Sequence, residues 1–143
     1  MDKINKNMMR VSALAIIIIA MLFGPAHATA ATKIDSTPTL SGTVGNYPVK
    51  MKLTFYNNGT VTGWYYYVSK GSKHKINLKG SYSGSMGSAI VNLSETVNGV
   101  VSGYYSGEYK SFLDNSTKKY IYYYYGKWTG AGGMQMPFEI KNF

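Results

Sequence analysis

The chain of 143 residues contains no cysteine. Disulfides, thiol nucleophiles and cysteine zinc sites are therefore excluded. Arginine occurs once, at Arg10, so the bidentate guanidinium contacts that read bases or phosphates have almost no donor. Histidine is scarce, with His27 and His74 alone, and a Ser-His-Asp triad or a histidine metal site has little to build on. Acidic residues number six. Beyond residue 30 no segment repeats its apolar residues at the helical period. No glycine loop opening a helix, the usual phosphate cradle, can then be drawn.

The first 28 residues read as a signal peptide. Lys3, Lys6 and Arg10 precede a 13-residue apolar run, Val11–Phe23, followed by Gly24-Pro25 and the small-x-small sites Ala26-His27-Ala28 and Ala28-Thr29-Ala30. The run is short for a membrane span, which takes about 20 residues. Cleavage after Ala28 or Ala30 leaves twelve basic residues, all lysine, against five carboxylates, a net charge of +7. An export signal without cysteine predicts a periplasmic or secreted bacterial domain that folds without disulfides and does not span the membrane.

The remaining sequence is rich in tyrosine, with 14 in the chain, and in glycine, with 16. Tyr47, Val49, Met51, Leu53 and Phe55 alternate with Pro48, Lys50, Lys52 and Thr54, the period of a strand with one buried face. Asn58-Gly59 follows at once, and Asn98-Gly99 marks a second reversal. Residues 29–38 read as a flexible arm, and 39–143 as the folded domain. Strands are predicted over Leu40–Val44, Tyr47–Tyr56, Thr60–Val68, His74–Ser83, Ser88–Glu95, Val100–Lys110, Lys118–Thr129 and Met134–Lys141. The fold class is all-β: a single antiparallel up-and-down meander of about eight strands, closed or nearly closed into a small barrel of the avidin or lipocalin kind.

Glycines recur two residues before an aromatic, as in Gly80–Gly84, Gly103–Gly107 and Gly126–Gly130. Such a glycine lets a neighbouring ring lie across it and eases strand coiling. Turn lengths at Asn57–Gly59 and at Lys70–Lys73 place Leu53 opposite Gly63, Met51 opposite Tyr65, Tyr65 opposite Leu78 and Tyr67 opposite Ile76. Val91 and Leu93 then face Tyr105 and Gly103, and Trp128, Gly126, Tyr124 and Tyr122 face Met134, Met136, Phe138 and Ile140.

These registers turn Tyr65, Tyr67, Tyr105, Tyr122 and Tyr124 inward as candidates for a polar-aromatic ligand cavity. Glu95 points inward near a barrel mouth, where it could orient a hydroxyl or amine. Outside, Lys50 lies across from Tyr66, and Lys52 and Lys79 flank Trp64, a pattern suited to anionic sugars. Tyr123, Tyr125 and Lys127 form a second such stripe. Glu95 and Glu108 lie too far apart along their hairpin for a glycosidase pair. The reading is a non-enzymatic binding module without cofactor or metal, its ligand a glycan or small molecule. The alternative is a protein-interaction module, an inhibitor or accessory subunit of a cell-envelope assembly. Nucleic acid is disfavoured by export and by the lack of arginine.

The stretches G-N-Y-P-V-K-M, N-G-T-V-T-G-W-Y-Y-Y, I-N-L-K-G-S-Y, V-N-L-S-E and P-F-E-I, from Gly45 to Ile140, resemble small exported bacterial proteins of uncharacterised function. Asn58–Tyr65 and Leu78–Tyr82 resemble the early hairpins of avidin-type barrels. That resemblance implies barrel topology and places Tyr65 at the position lining the biotin pocket. Tyr67 stands where the avidin pattern has serine. Ser102-Gly103-Tyr104-Tyr105 resembles bacterial lysozyme inhibitors, although a basic lysozyme would be repelled by a +7 domain.

Overall fold

The computed structural model describes residues 30–143. The expected signal peptide, 1–28, lies outside the described residues. Thr32–Phe143 form one compact unit. It holds nine strands: β1 (Lys33–Ser36), β2 (Leu40–Val44), β3 (Tyr47–Tyr56), β4 (Thr60–Tyr67), β5 (Ile76–Ser85), β6 (Ser88–Val97), β7 (Val100–Asp114), β8 (Lys119–Gly130) and β9 (Gln135–Lys141). All are antiparallel, and β2 to β9 close into an eight-stranded barrel through the β2–β9 and β3–β4 ladders.

The turns fit their residues. Gly59 (φ 84°) ends the three-residue loop after β3, with its N–H donating to the Tyr56 carbonyl at 3.1 Å. Asn98 and Gly99 take φ values of 51° and 77° between Val97 and Val100, which face each other across a two-residue hairpin. The β3–β4 register places Leu53 opposite Gly63 and Met51 opposite Tyr65, as the alternation predicts.

Three other registers differ from expectation by two residues. Gly63 faces Leu78 and Tyr65 faces Ile76, because the β4–β5 connection runs over 68–75 rather than the four residues Lys70–Lys73. Leu93 faces Tyr105, and Trp128 faces Met136. A slip of two leaves every side chain on its face, so the inward set survives.

The region 29–38, expected as a loose arm, instead carries β1. This strand pairs with the last residues of β3, beside the stretch of β3 that β2 covers. Buried Thr37 joins the two, its N–H donating to the Leu53 carbonyl and its Oγ1 accepting from the Leu53 N–H, at 2.9 and 3.0 Å.

The interior is filled. Leu40, Val49, Met51, Leu53, Phe55, Val61, Tyr65, Val91, Tyr105, Tyr109, Tyr124 and Ile140 are all buried. The inward glycines work differently from the expectation at most positions. A Cβ on Gly107 would lie 2.1 Å from the Tyr125 carbonyl oxygen, and one on Gly126 2.1 Å from that of Ser106. These two glycines face each other across β7 and β8, so the missing side chains admit the neighbouring backbone, which lets the strands coil tightly. At Gly130 a ring does lie across, that of Trp128.

Gly107→Ala or Gly126→Ala should therefore cost about 2 kcal/mol or more in urea unfolding, since backbone must shift. Gly132→Ala, with nothing within 4 Å of its added Cβ, should change stability by less than about 0.5 kcal/mol. Equal effects at both places would contradict the close-approach account.

Candidate functional site

Three strands bring side chains to one buried carboxylate on a fourth. Glu95, on β6, is only 4% exposed. Its Oε2 accepts hydrogen bonds from the Tyr65 hydroxyl of β4 and from the Trp128 Nε1–H of β8, the latter at 3.1 Å. Its Oε1 accepts from the Ser102 hydroxyl of β7 at 2.9 Å. The serine arrives by a β-bulge. Glu95 faces Gly103 while Thr96 faces Val101, so Ser102 has no residue opposite. Strict alternation from Gly103 and Tyr105 would turn Ser102 outward; the bulge brings its hydroxyl to Glu95. Among the described residues the one ion pair is Lys141–Glu139 at 2.7 Å. Hydroxyl and indole donors, not an ammonium, therefore meet the Glu95 oxygens.

Aromatic rings surround this centre. Tyr105 packs edge-on to Tyr65 with centroids 5.3 Å apart, and Tyr67 packs edge-on to Tyr65 at 5.5 Å. Burial first, then Tyr105 and Glu95 beside it, push the Tyr65 phenol far above its ordinary value near 10. Burial likewise raises Tyr105 and Tyr124, and burial followed by the nearby Asp35 raises Tyr109. The Tyr124 hydroxyl donates to the Val91 carbonyl at 3.0 Å, whereas those of Tyr105 and Tyr109 are buried without a well-formed hydrogen bond among the described residues.

The expected cavity residues thus divide. Tyr65, Tyr105, Tyr124 and Glu95 belong to the packed interior rather than to an open cavity. Tyr122 lies at the opposite end of the barrel, its N–H accepted by Asn142 Oδ1. Tyr67 lines an opening. That opening is a cleft of about 320 Å³ at the mouth formed by the β2–β3, β4–β5 and β8–β9 turns. Tyr47, Tyr67, Trp128, Met134 and Met136 line it, with Ser69 and Lys70 from the β4–β5 connection. Trp128 joins cleft to carboxylate, and Tyr67 joins cleft to Tyr65.

The outer aromatic stripe is also rearranged. Lys50 faces Tyr66 and Lys52 faces Trp64 as expected, but Lys79 faces Thr62. Lys75 takes the place intended for Lys79, its ammonium 4.2 Å from the Trp64 ring centroid. Trp64 and Tyr66 stack on each other at 5.9 Å and 19°, and Lys50 donates to Ser41 Oγ at 2.7 Å. The rings stand half-buried against one another, with a lysine over Trp64. Tyr123 and Tyr125 stack likewise at 4.5 Å. Their hydroxyls donate to Glu139, at 3.2 Å, and to Glu108.

No protein-family model, curated protein or solved structure matches the chain. The functional reading therefore rests on the mouth and its residues. Among the described residues no three His, Asp or Glu side chains gather as a metal site. Glu95 faces inward and Glu108 outward, and His74 is exposed in the β4–β5 connection. Sequence reasoning overlooked Ser102, Tyr47, Met134 and Met136 as site residues. It turned Trp128 inward without linking it to Glu95, although both sit where their strands reach the same mouth.

Two outcomes follow for the carboxylate and its phenols. Glu95→Ala should destabilise by about 2–4 kcal/mol in denaturant unfolding, because three donors, two of them buried, lose their acceptor, and Tyr65→Phe by about 1.5–3 kcal/mol. The raised tyrosines fix an alkaline limit. Their neutral forms are favoured in the fold, so this stability is complete below pH 10 and falls as the unfolded phenols ionise above it. The loss is about 1.4 kcal/mol per pH unit for each buried tyrosine. Melting temperature should be flat to about pH 9.5 and then drop steeply, with the buried phenols ionising only on unfolding. Free titration of all tyrosines near pH 10 in the folded protein would refute this.

Proposed function

We propose that the protein is an exported, non-enzymatic binding module that takes a small ring-shaped ligand, a terminal sugar or another small molecule with a flat apolar face, at the barrel mouth. The observation that carries the reading is the cleft walled by Tyr47, Tyr67 and Trp128 with the thioethers of Met134 and Met136. Its volume of about 320 Å³ suits one ring rather than an extended chain. Aromatic walls favour a flat face, and methionines adapt to its outline. The filled interior stops the ligand at the mouth. Glu95 fixes the indole of Trp128 from behind and fixes Tyr65, against which Tyr67 packs, so two walls are held before a ligand arrives. Lys70 in the cleft lining adds a cation for a ligand with a negative substituent. Export rests on the charged start, apolar run and small-residue cleavage sites of residues 1–30.

A protein-interaction module is the second reading. The stacked Trp64–Tyr66 pair with Lys52 and Lys75 favours it.

An NMR screen with monosaccharides, short oligosaccharides and aromatic small molecules separates the two. The mouth reading expects shift changes at Tyr47, Tyr67, Met134 and Met136 with one compound class. Tyr47→Ala should weaken that binding about tenfold, and Trp64→Ala should leave it unchanged. Shifts confined to Trp64 and Tyr66, or full binding by Tyr47→Ala, would overturn it.

A further inference from the structure

The β7–β8 hairpin outruns the barrel. Pairing of β6 with β7 ends at Ser88–Lys110, and pairing of β8 with β9 ends at Tyr123–Lys141. Beyond them Ser111–Tyr122, Phe112–Ile121, Leu113–Tyr120 and Asp114–Lys119 pair only within the hairpin. At about 3.4 Å per residue this is an extension of roughly 13 Å. Its side chains are not those of a solvated ribbon. Phe112 is 54% exposed, Leu113 43% and Tyr120 59%. Directly opposite residues share a face, so Phe112 and Ile121 form an apolar pair on the outer face. Alternation puts Lys110 and Lys119 on that same face, one on either side of the pair. Two acids share this face: Asp114, opposite Lys119, accepts from the Ser116 N–H and hydroxyl and from the Thr117 hydroxyl at 2.7–3.0 Å, and Glu108, two residues before Lys110, accepts from the Tyr125 hydroxyl. The face thus has an apolar centre with a lysine on either side of it.

We infer that the outer face of the extended β7–β8 hairpin is a docking surface for an anionic lipid membrane, with Phe112 and Ile121 at the acyl boundary and Lys110 and Lys119 on the headgroups. Small apolar insertions and juxtaposed lysines each bind weakly, and together they hold a protein at a charged interface. The polar turn 115–118 stays among the headgroups. The domain's net charge of +7 favours an anionic lipid surface over a second copy of this chain, which carries the same charge. At the base of the extension both strand edges are already occupied. Asn142 caps the outer edge of β8 by accepting from the Tyr122 N–H at 2.8 Å and donating to the Tyr120 carbonyl at 2.9 Å. Gly87 and Met86 hold the outer edge of β7, their carbonyls accepting from the Ser111 N–H at 3.2 Å and the Ser111 hydroxyl at 2.9 Å.

The test uses residues 32–143, which carry every described strand and lack the apolar run that would bind lipid by itself. Co-sedimentation is measured with phosphatidylcholine vesicles, with and without phosphatidylglycerol. Binding should require phosphatidylglycerol and weaken as salt rises. Phe112→Ser should lower partitioning about tenfold. The Lys110→Gln/Lys119→Gln double variant should lower it by a similar factor and flatten the salt dependence. Val100→Ser, at an exposed apolar residue beside the Asn98-Gly99 turn at the opposite end, should change nothing. All variants should keep the parent melting temperature within a few degrees, because these side chains lie outside the core. Binding independent of phosphatidylglycerol, undiminished binding by Phe112→Ser, or an equal loss in Val100→Ser would overturn the inference. So would a dimer in sedimentation equilibrium that Phe112→Ser disperses, which would make the face an interface between copies.

Discussion

A single carboxylate without a counter-cation sits inside a barrel of rings. The oxygens of Glu95 find partners in that setting because Tyr65, Trp128 and Ser102 all aim donors at them. Those donors come from β4, β8 and β7, so strands on opposite sides of the barrel are tied to one point. Hydrophobic burial alone would fix the inward set but tolerate rearrangement of rings. The polar centre removes that freedom. It determines which way the indole of Trp128 is turned and therefore what shape the mouth has.

Closure imposes the second constraint. A small eight-stranded barrel has room for side chains or for a ligand, and here tyrosines fill it. Gly107 and Gly126 permit the tight coiling that closure demands, and large rings occupy the interior it leaves. Open space is thereby left at the end of the barrel rather than in its middle. The two ends have diverged: one holds a recessed aromatic cleft, the other a projecting ribbon with lysines.

Much of this was legible in the sequence because strand alternation is local. Tyr47 to Phe55 declares one buried face, and Asn58-Gly59 and Asn98-Gly99 declare reversals, so the meander and the inward set follow. Pairing partners depend on connection length, which the polar residues of 68–75 do not specify, and there the expectation slipped by two. Inwardness survived that slip, as it would not have survived a slip of one. The Ser102 bulge is set by the demand of Glu95 across the ladder, and nothing around Val101-Ser102-Gly103 announces it. Lys33–Ser36 lacks apolar alternation, so β1 is invisible until its backbone meets β3. Glu95 was read as inward and near a mouth, but its partners are separated from it in sequence by up to 33 residues.

The placement of β1 matters for how the molecule opens. The eight-stranded ring is complete without this segment, whose described ladder is with β3 alone. Peeling it away would break no seam of the cylinder, yet it would strip the Leu53 N–H of the Thr37 hydroxyl that accepts its hydrogen bond. Solvent deuterium should thus reach Leu53 through fraying of the amino-terminal segment, earlier than it reaches equally buried amides on β6 or β8. A core position would in that way report the detachment of a peripheral latch while the cylinder itself stays intact.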